Sequence, residues 1–220
     1  MFMKILKVIF SLLVSAGEQE PATREFPRII RRTNSDPAAF GTFVDALIRY
    51  EFCRATGVRF KDSYCDILLE TDSCRNDISD SYRILRGRPI DGVALYLALL
   101  DICEAAGIVN GKPPDFDPLR REILQRIDEL NAFAAEVHNW ALDMYQRVEP
   151  SPRFKRSIAD CIGTRKDGSA ELIEFKCSQF ADRAEWWAQL NRYLACLAPR
   201  TMNRLVVINP IQGSYTWRAC

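Results

Sequence analysis

The chain has 220 residues, 48% of them hydrophobic and 27% charged, with a formal net charge of +1 at pH 7. It can bury a substantial core without needing a disulfide or metal to fold, and its overall charge gives no sign of nucleic-acid binding. A single histidine leaves His-based triad chemistry little to work with, and the lack of any Cys-x-x-Cys pair argues against a zinc ribbon.

In chain order, residues 1–16 carry Lys4, Lys7, an apolar run from Val8 to Val14, and Val14-Ser15-Ala16 ahead of Gly17. This fits a short secretory signal with a small-residue cleavage site, too short to span a bilayer; an amphipathic helix docking on the domain would look similar. No other stretch is expected to cross a membrane. Arg24, Arg28, Arg31 and Arg32 read as a solvated or disordered cationic arm. Asp36-Pro37 is a cap and first-turn pair opening a helix to about residue 56. Asp45 and Arg49 lie one turn apart on it; Arg49 either contacts a phosphate or pairs with Asp45.

Residues 90–107 form an apolar helix stopped by Gly107, and 110–114 a loop. Residues 117–147, opening with Asp117-Pro118, repeat apolar positions at helical period. His138 within them reads as a packing or surface residue. Val148 to Pro152 reads as a linker between helices and strands. Of the eight cysteines, Cys103, Cys161 and Cys196 sit in apolar patterns as small core residues, although the even count leaves a secreted, disulfide-stabilised domain open.

Phe154 to Ile162 is rich in strand formers and leads to Arg165-Lys166-Asp167-Gly168-Ser169, whose Asp-Gly pair signals a hairpin turn. The hairpin would bring Asp160 beside Glu174-Phe175-Lys176, fourteen residues on. On a strand, Glu174 and Lys176 share a face while Phe175 turns to the other. Acids within apolar strands need partners or a metal, and two carboxylates sharing a site suit Mg²⁺ or Mn²⁺. Lys176 would position a water and stabilise charge on phosphorus. Asp45, in the helix opened by Asp36-Pro37, reads on its own as a solvent-facing residue. Ala181 to Leu197 is helical, with Gln189 and Tyr193 on one face. A strand at 205–208 completes a ββαβ order, and 214–218 reads as a closing strand.

Asp160, Glu174-Phe175-Lys176 and Gln189-Leu190-Asn191-Arg192-Tyr193 together resemble the PD-(D/E)XK nuclease superfamily, in particular its RecB-like exonuclease branch with a QxxxY motif. The resemblance covers residues 38–56 and 154–217. Two positions depart from it: Ala159 stands where the family's name has Pro, and Gly41-x-x-x-Asp45 stands where the branch often has Gly-x-x-x-His. The four-cysteine iron–sulfur cluster of some relatives is poorly matched by Cys177, Cys196 and Cys220.

The resemblance implies an α/β fold with a restriction-endonuclease-like core, a central mixed sheet flanked by helices, and a helical N-terminal elaboration. Residues 1–23 would be the leader or arm, 24–150 the mainly helical part and 151–220 the catalytic core. That last part holds eleven Lys or Arg against six Asp or Glu, a modest footprint for DNA. The implied activity is metal-dependent hydrolysis of DNA, favoured as exonucleolytic, in an intracellular setting. Asp160, Glu174, Asp45 and the Phe175 carbonyl would hold Mg²⁺ or Mn²⁺, with Lys176 catalytic. Gln189, Tyr193, Arg49, Arg183, Arg192 and Trp186 would contact substrate. Alternatives are a noncatalytic nucleic-acid-binding relative and the secreted domain.

Overall fold

The computed structural model describes residues 22–29, 35–71, 74–111, 115–154, 157–178, 183–197 and 201–220. The leader at 1–16 and the cations Arg31 and Arg32 lie outside the described residues. Asp36 accepts the Ala38 N–H at 2.9 Å and Pro37 fills the first turn, so the expected cap opens α1 (Pro37–Thr56). Gly57, at φ 67°, closes it with its N–H on the Arg54 carbonyl. Short helices α2 (Ser63–Glu70) and α3 (Asn76–Leu85) follow.

Helix α4 (Gly92–Val109) runs past the expected stop: Gly107 is buried inside it, and the left-handed residue of the following turn is Gly111, at φ 67°. By length and composition α4 could cross a membrane, contrary to expectation, but half of that apolar window is buried within the fold. The helix expected over 117–147 is two helices, α5 (Asp117–Gln125) and α6 (Ile127–Met144). They break at Arg126, whose guanidinium spans Glu122 at 3.0 Å and Glu129 at 2.7 Å. Helix α6 stops at Met144 because Tyr145 is drawn into the sheet, its buried hydroxyl 3.0 Å from Glu171 Oε2. Tertiary packing here overrides helical periodicity.

The residues expected as a linker form a strand, β2 (Tyr145–Pro150), and Ser151, at φ 47°, makes the turn after it. The strand expected over 154–162 is broken into β3 (Arg153–Phe154) and β4 (Ser157–Ile158), a small hairpin, followed by β5 (Cys161–Arg165). The turn to β6 (Ala170–Phe175) forms as expected: Gly168 sits at φ 84° and Asp167 Oδ1 accepts the Ser169 N–H at 2.9 Å. Helix α7 (Arg183–Cys196), β7 (Arg204–Asn209) and β8 (Ser214–Ala219) complete the ββαβ order and the closing strand. The cationic arm is corrected in part. Arg24 lies in β1 (Ala22–Glu25), paired with β8, and Arg28 Nε donates to the Ile211 carbonyl at 3.1 Å.

The fold is α/β, with seven helices among the described residues and a mixed sheet of order β1-β8-β7-β6-β5-β2. Among the described residues only β6 and β7 pair in parallel, as the crossover through α7 requires. Alternation sorts side chains between two cores. Cys161, Ile173, Phe175, Val206, Ile208 and Tyr215 face the helical layer that includes α1, α4 and α6; Ile162, Leu172, Leu205 and Val207 face α7 and its Leu190. With both faces covered, β6 and β7 are near-continuously apolar.

Candidate active site

Hairpin register decides the geometry. Cys161 pairs with Ile173 and Ile162 with Leu172, so the next step outward sets Asp160 opposite Glu174, on the α7 side of the sheet. Asp160 lies in the bend ahead of β5 and is tied down by the Phe175 N–H, which donates to Oδ2 at 2.7 Å. Phe175 thus reaches Asp160 through its backbone N–H. Its ring turns away and packs edge-on against Phe52 of α1 at 5.8 Å.

Glu174 is 3% exposed. Its Oε1 accepts from Lys176 Nζ at 2.7 Å and from Gln189 Nε2 at 2.6 Å, while the buried Oε2 has no hydrogen-bond partner. Gln189 uses both ends of its amide: Oε1 accepts from Lys176 at 2.9 Å, and Nε2 also donates to the Tyr193 hydroxyl at 2.7 Å. The four-residue spacing on α7 makes this possible, because it stacks Gln189 and Tyr193 on one helix flank.

Asp45 comes from α1. The start of that helix lies against the chain beyond Lys176, with Gly41 facing Cys177. Asp45 Oδ1 is buried without a hydrogen bond, 3.9 Å from Arg49 Nε. Arg49 is 6% exposed, and its Nη1 donates to Asp62 Oδ2 at 2.9 Å. Asp45, Arg49, Asp62, Tyr64, Ser151 and Asp160 share the wall of a cavity of about 190 Å³.

Electrostatics bind these groups together. Burial, then the neighbouring Asp160, pushes the Asp45 carboxyl well above its ordinary range. Burial and Asp160 do the same to Glu174, against the pull of Lys176. Asp160 is raised by burial, opposed by the Phe175 N–H and Arg49. Burial works against the Arg49 charge, but Asp45, Asp62 and Asp160 outweigh it and hold the guanidinium charged. The Tyr193 hydroxyl is pushed up to about 12 by burial and then Glu174. The site holds more acid than its cations comfortably neutralise.

Of the other expected residues, Trp186 is half-buried against the core beneath α7, and Arg192 is exposed on that helix. Arg183 opens α7, but its side chain lies outside the described residues. Among the described residues, no three His, Cys, Asp or Glu side chains stand together as a ready metal cage. The donors present are nonetheless all hard oxygens, and two buried ones, Asp45 Oδ1 and Glu174 Oε2, lack a hydrogen bond. That chemistry fits a small divalent cation.

Sequence reading missed Asp62, which accepts the Tyr64 and Cys65 N–H groups as the cap of α2 while binding Arg49. An Asp ahead of a short helical run was the available signal. It also missed Ser151, whose hydroxyl accepts the Ser63 N–H at 3.0 Å. His138 is a packing residue as expected: Nδ1 accepts from Arg54 Nε at 3.2 Å. No disulfide forms among the described residues, which include all eight cysteines.

No protein-family model, curated protein or solved structure matches this chain.

Proposed function

We propose that the chain is a metal-dependent nuclease hydrolysing DNA phosphodiester bonds, with a restriction-endonuclease-like core of the PD-(D/E)XK kind and its RecB-like branch. One observation carries the reading: a hairpin register that sets Asp160 opposite Glu174, with the Lys176 ammonium on Glu174 and the Gln189 amide bridging both. Asp160 and Glu174 would hold Mg²⁺ or Mn²⁺, with Asp45 as a further ligand. The cation would polarise the scissile phosphate and acidify a water.

The chain's own residues supply positioning. Two contacts of the Lys176 ammonium are taken by Glu174 and Gln189, which leaves a third N–H for the attacking water or a phosphate oxygen. The water oxygen would form the new bond to phosphorus and give up a proton to solvent, while the bond from phosphorus to the sugar oxygen breaks and that oxygen takes up a proton from solvent. Gln189 and Tyr193 keep Lys176 aimed. Arg49, buried on Asp62, balances the charges of Asp45 and Asp160. Exonucleolytic action is favoured by the QxxxY resemblance alone.

The test is cleavage of linear and circular DNA in Mg²⁺ or Mn²⁺ by the parent, Lys176→Ala and Asp160→Asn. The expected loss in each variant is about 10²-fold or more; equal cutting by all three sinks the reading. A noncatalytic DNA-binding relative is the second reading, favoured by the prior engagement of Glu174 Oε1 with Lys176 and Gln189. Under it the parent shifts DNA in a gel and leaves it whole.

A further inference from the structure

On the flank of α7 turned away from the acids, Arg218 of β8 lies over the Trp187 ring, 4.8 Å from its centre. Asn191 Oδ1 holds Arg218 Nη2 at 2.7 Å. Trp187 and Asn191 are one turn apart, and each is two residues from Gln189, about 200° around the helix. The stack and the acids therefore occupy opposite flanks of one helix. Between them runs an exposed crest with Ala188, which keeps it low, and Arg192, which makes it basic.

Arg218 has no carboxylate partner among the described residues. Holding a long arginine side chain in one geometry costs conformational entropy. Here that ordering is already done by an indole face and an amide, leaving a flat, charged surface at the protein's exterior. Such a surface suits a base or ribose stacked on a guanidinium–indole pair, with a phosphate nearby.

We propose that Trp187, Arg218 and Asn191 form a second, noncatalytic contact for single-stranded nucleic acid, which a strand reaches from the acids across the crest of α7 at Ala188 and Arg192. The proposal rests on the nuclease reading for its substrate class. Charge complementarity favours nucleic acid, since residues 150–220 carry eleven Lys or Arg against six Asp or Glu. The indole in the stack favours it over an acidic polypeptide, which needs no aromatic face.

The test is fluorescence anisotropy of labelled oligothymidine with the full chain in EDTA, so that binding is read without cleavage. Arg218→Ala is expected to weaken binding about tenfold and to lower the salt slope by about 0.7. Trp187→Phe should weaken it less. Arg121→Ala removes an equal charge from the exposed side of α5, in the helical layer, and should change affinity by less than about twofold. Equal loss for Arg121→Ala and Arg218→Ala would mean bulk charge alone and overturns the proposal, as does an oligonucleotide that fails to bind the parent. Displacement by polyglutamate that depends on Arg218 and ignores Trp187 also overturns it, in favour of an acidic polypeptide. Arg218-dependent binding by a parent that cuts nothing in Mn²⁺ upholds this contact and rejects the hydrolytic reading.

Discussion

Gln189 grips Glu174 and Lys176 by opposite ends of one amide, so its contribution is to hold an acid and a base at a set separation. Gln189→Leu keeps the bulk and removes every hydrogen bond. Steady-state cleavage should then show kcat reduced about 10–100-fold with KM changed by less than about threefold. A kcat equal to the parent's would make the amide a bystander. Asp62 acts on stability instead, because it both caps α2 and neutralises a guanidinium that is 6% exposed. Asp62→Ala should cost about 3–5 kcal/mol in urea unfolding, most of it from a buried charge left short of a partner. Asp62→Asn keeps the cap and should recover about 1 kcal/mol of that. If both variants unfold with the parent, Asp45 and Asp160 alone balance Arg49.

Among the elements, the β5–β6 hairpin is the one on which the site is built, and its tightest point is Gly163. A β-carbon there would stand 2.6 Å from Tyr145 Cε1. Tyr145 has little room to move, being buried with its hydroxyl on Glu171. Gly163→Ala should therefore lower stability by about 1–3 kcal/mol, read as a fall in Tm; an unchanged Tm would show that the ring can slide. The hairpin itself was legible because an Asp-Gly turn and a period of two are local signals, and with it came Asp160, Glu174 and Lys176. Gln189 and Tyr193 were legible for the same reason at helical period. What could not be read were contacts between distant segments. Tyr145 leaves its helix to meet Glu171, and Asp62 and Ser151 join the cavity wall across 88 residues of separation between Ser63 and Ser151. Periodicity carries no trace of these.

At the scale of the whole molecule, α1 is the pivot of the charge arrangement: it sends Asp45 and Arg49 toward the candidate site and Glu51 into the helical core. Glu51 is 1% exposed, with Oε2 2.8 Å from Arg54 Nε and 3.3 Å from His138 Nδ1. Burial raises its carboxyl to about 7 from an ordinary 4.5, with Arg54 pulling the other way. The folded chain thus keeps a proton that the unfolded chain releases near 4.5, and stability falls as pH rises between those values. The contribution is fully present below about 4.5, is lost as pH rises through about 7, and amounts to about 3 kcal/mol at most. His138 works in the opposite sense. Burial and Arg54 lower its pKa, so protonation in acid favours unfolding. Comparing parent with Glu51→Gln isolates the carboxyl, because both proteins keep His138. Urea unfolding from pH 4 to 8 should show the variant gaining on the parent as pH rises, with the difference levelling off above about 7.5. A difference that stays constant across that range would mean that Arg54 keeps Glu51 ionised throughout, and α1 would then carry a buried ion pair into the core in place of a neutral acid.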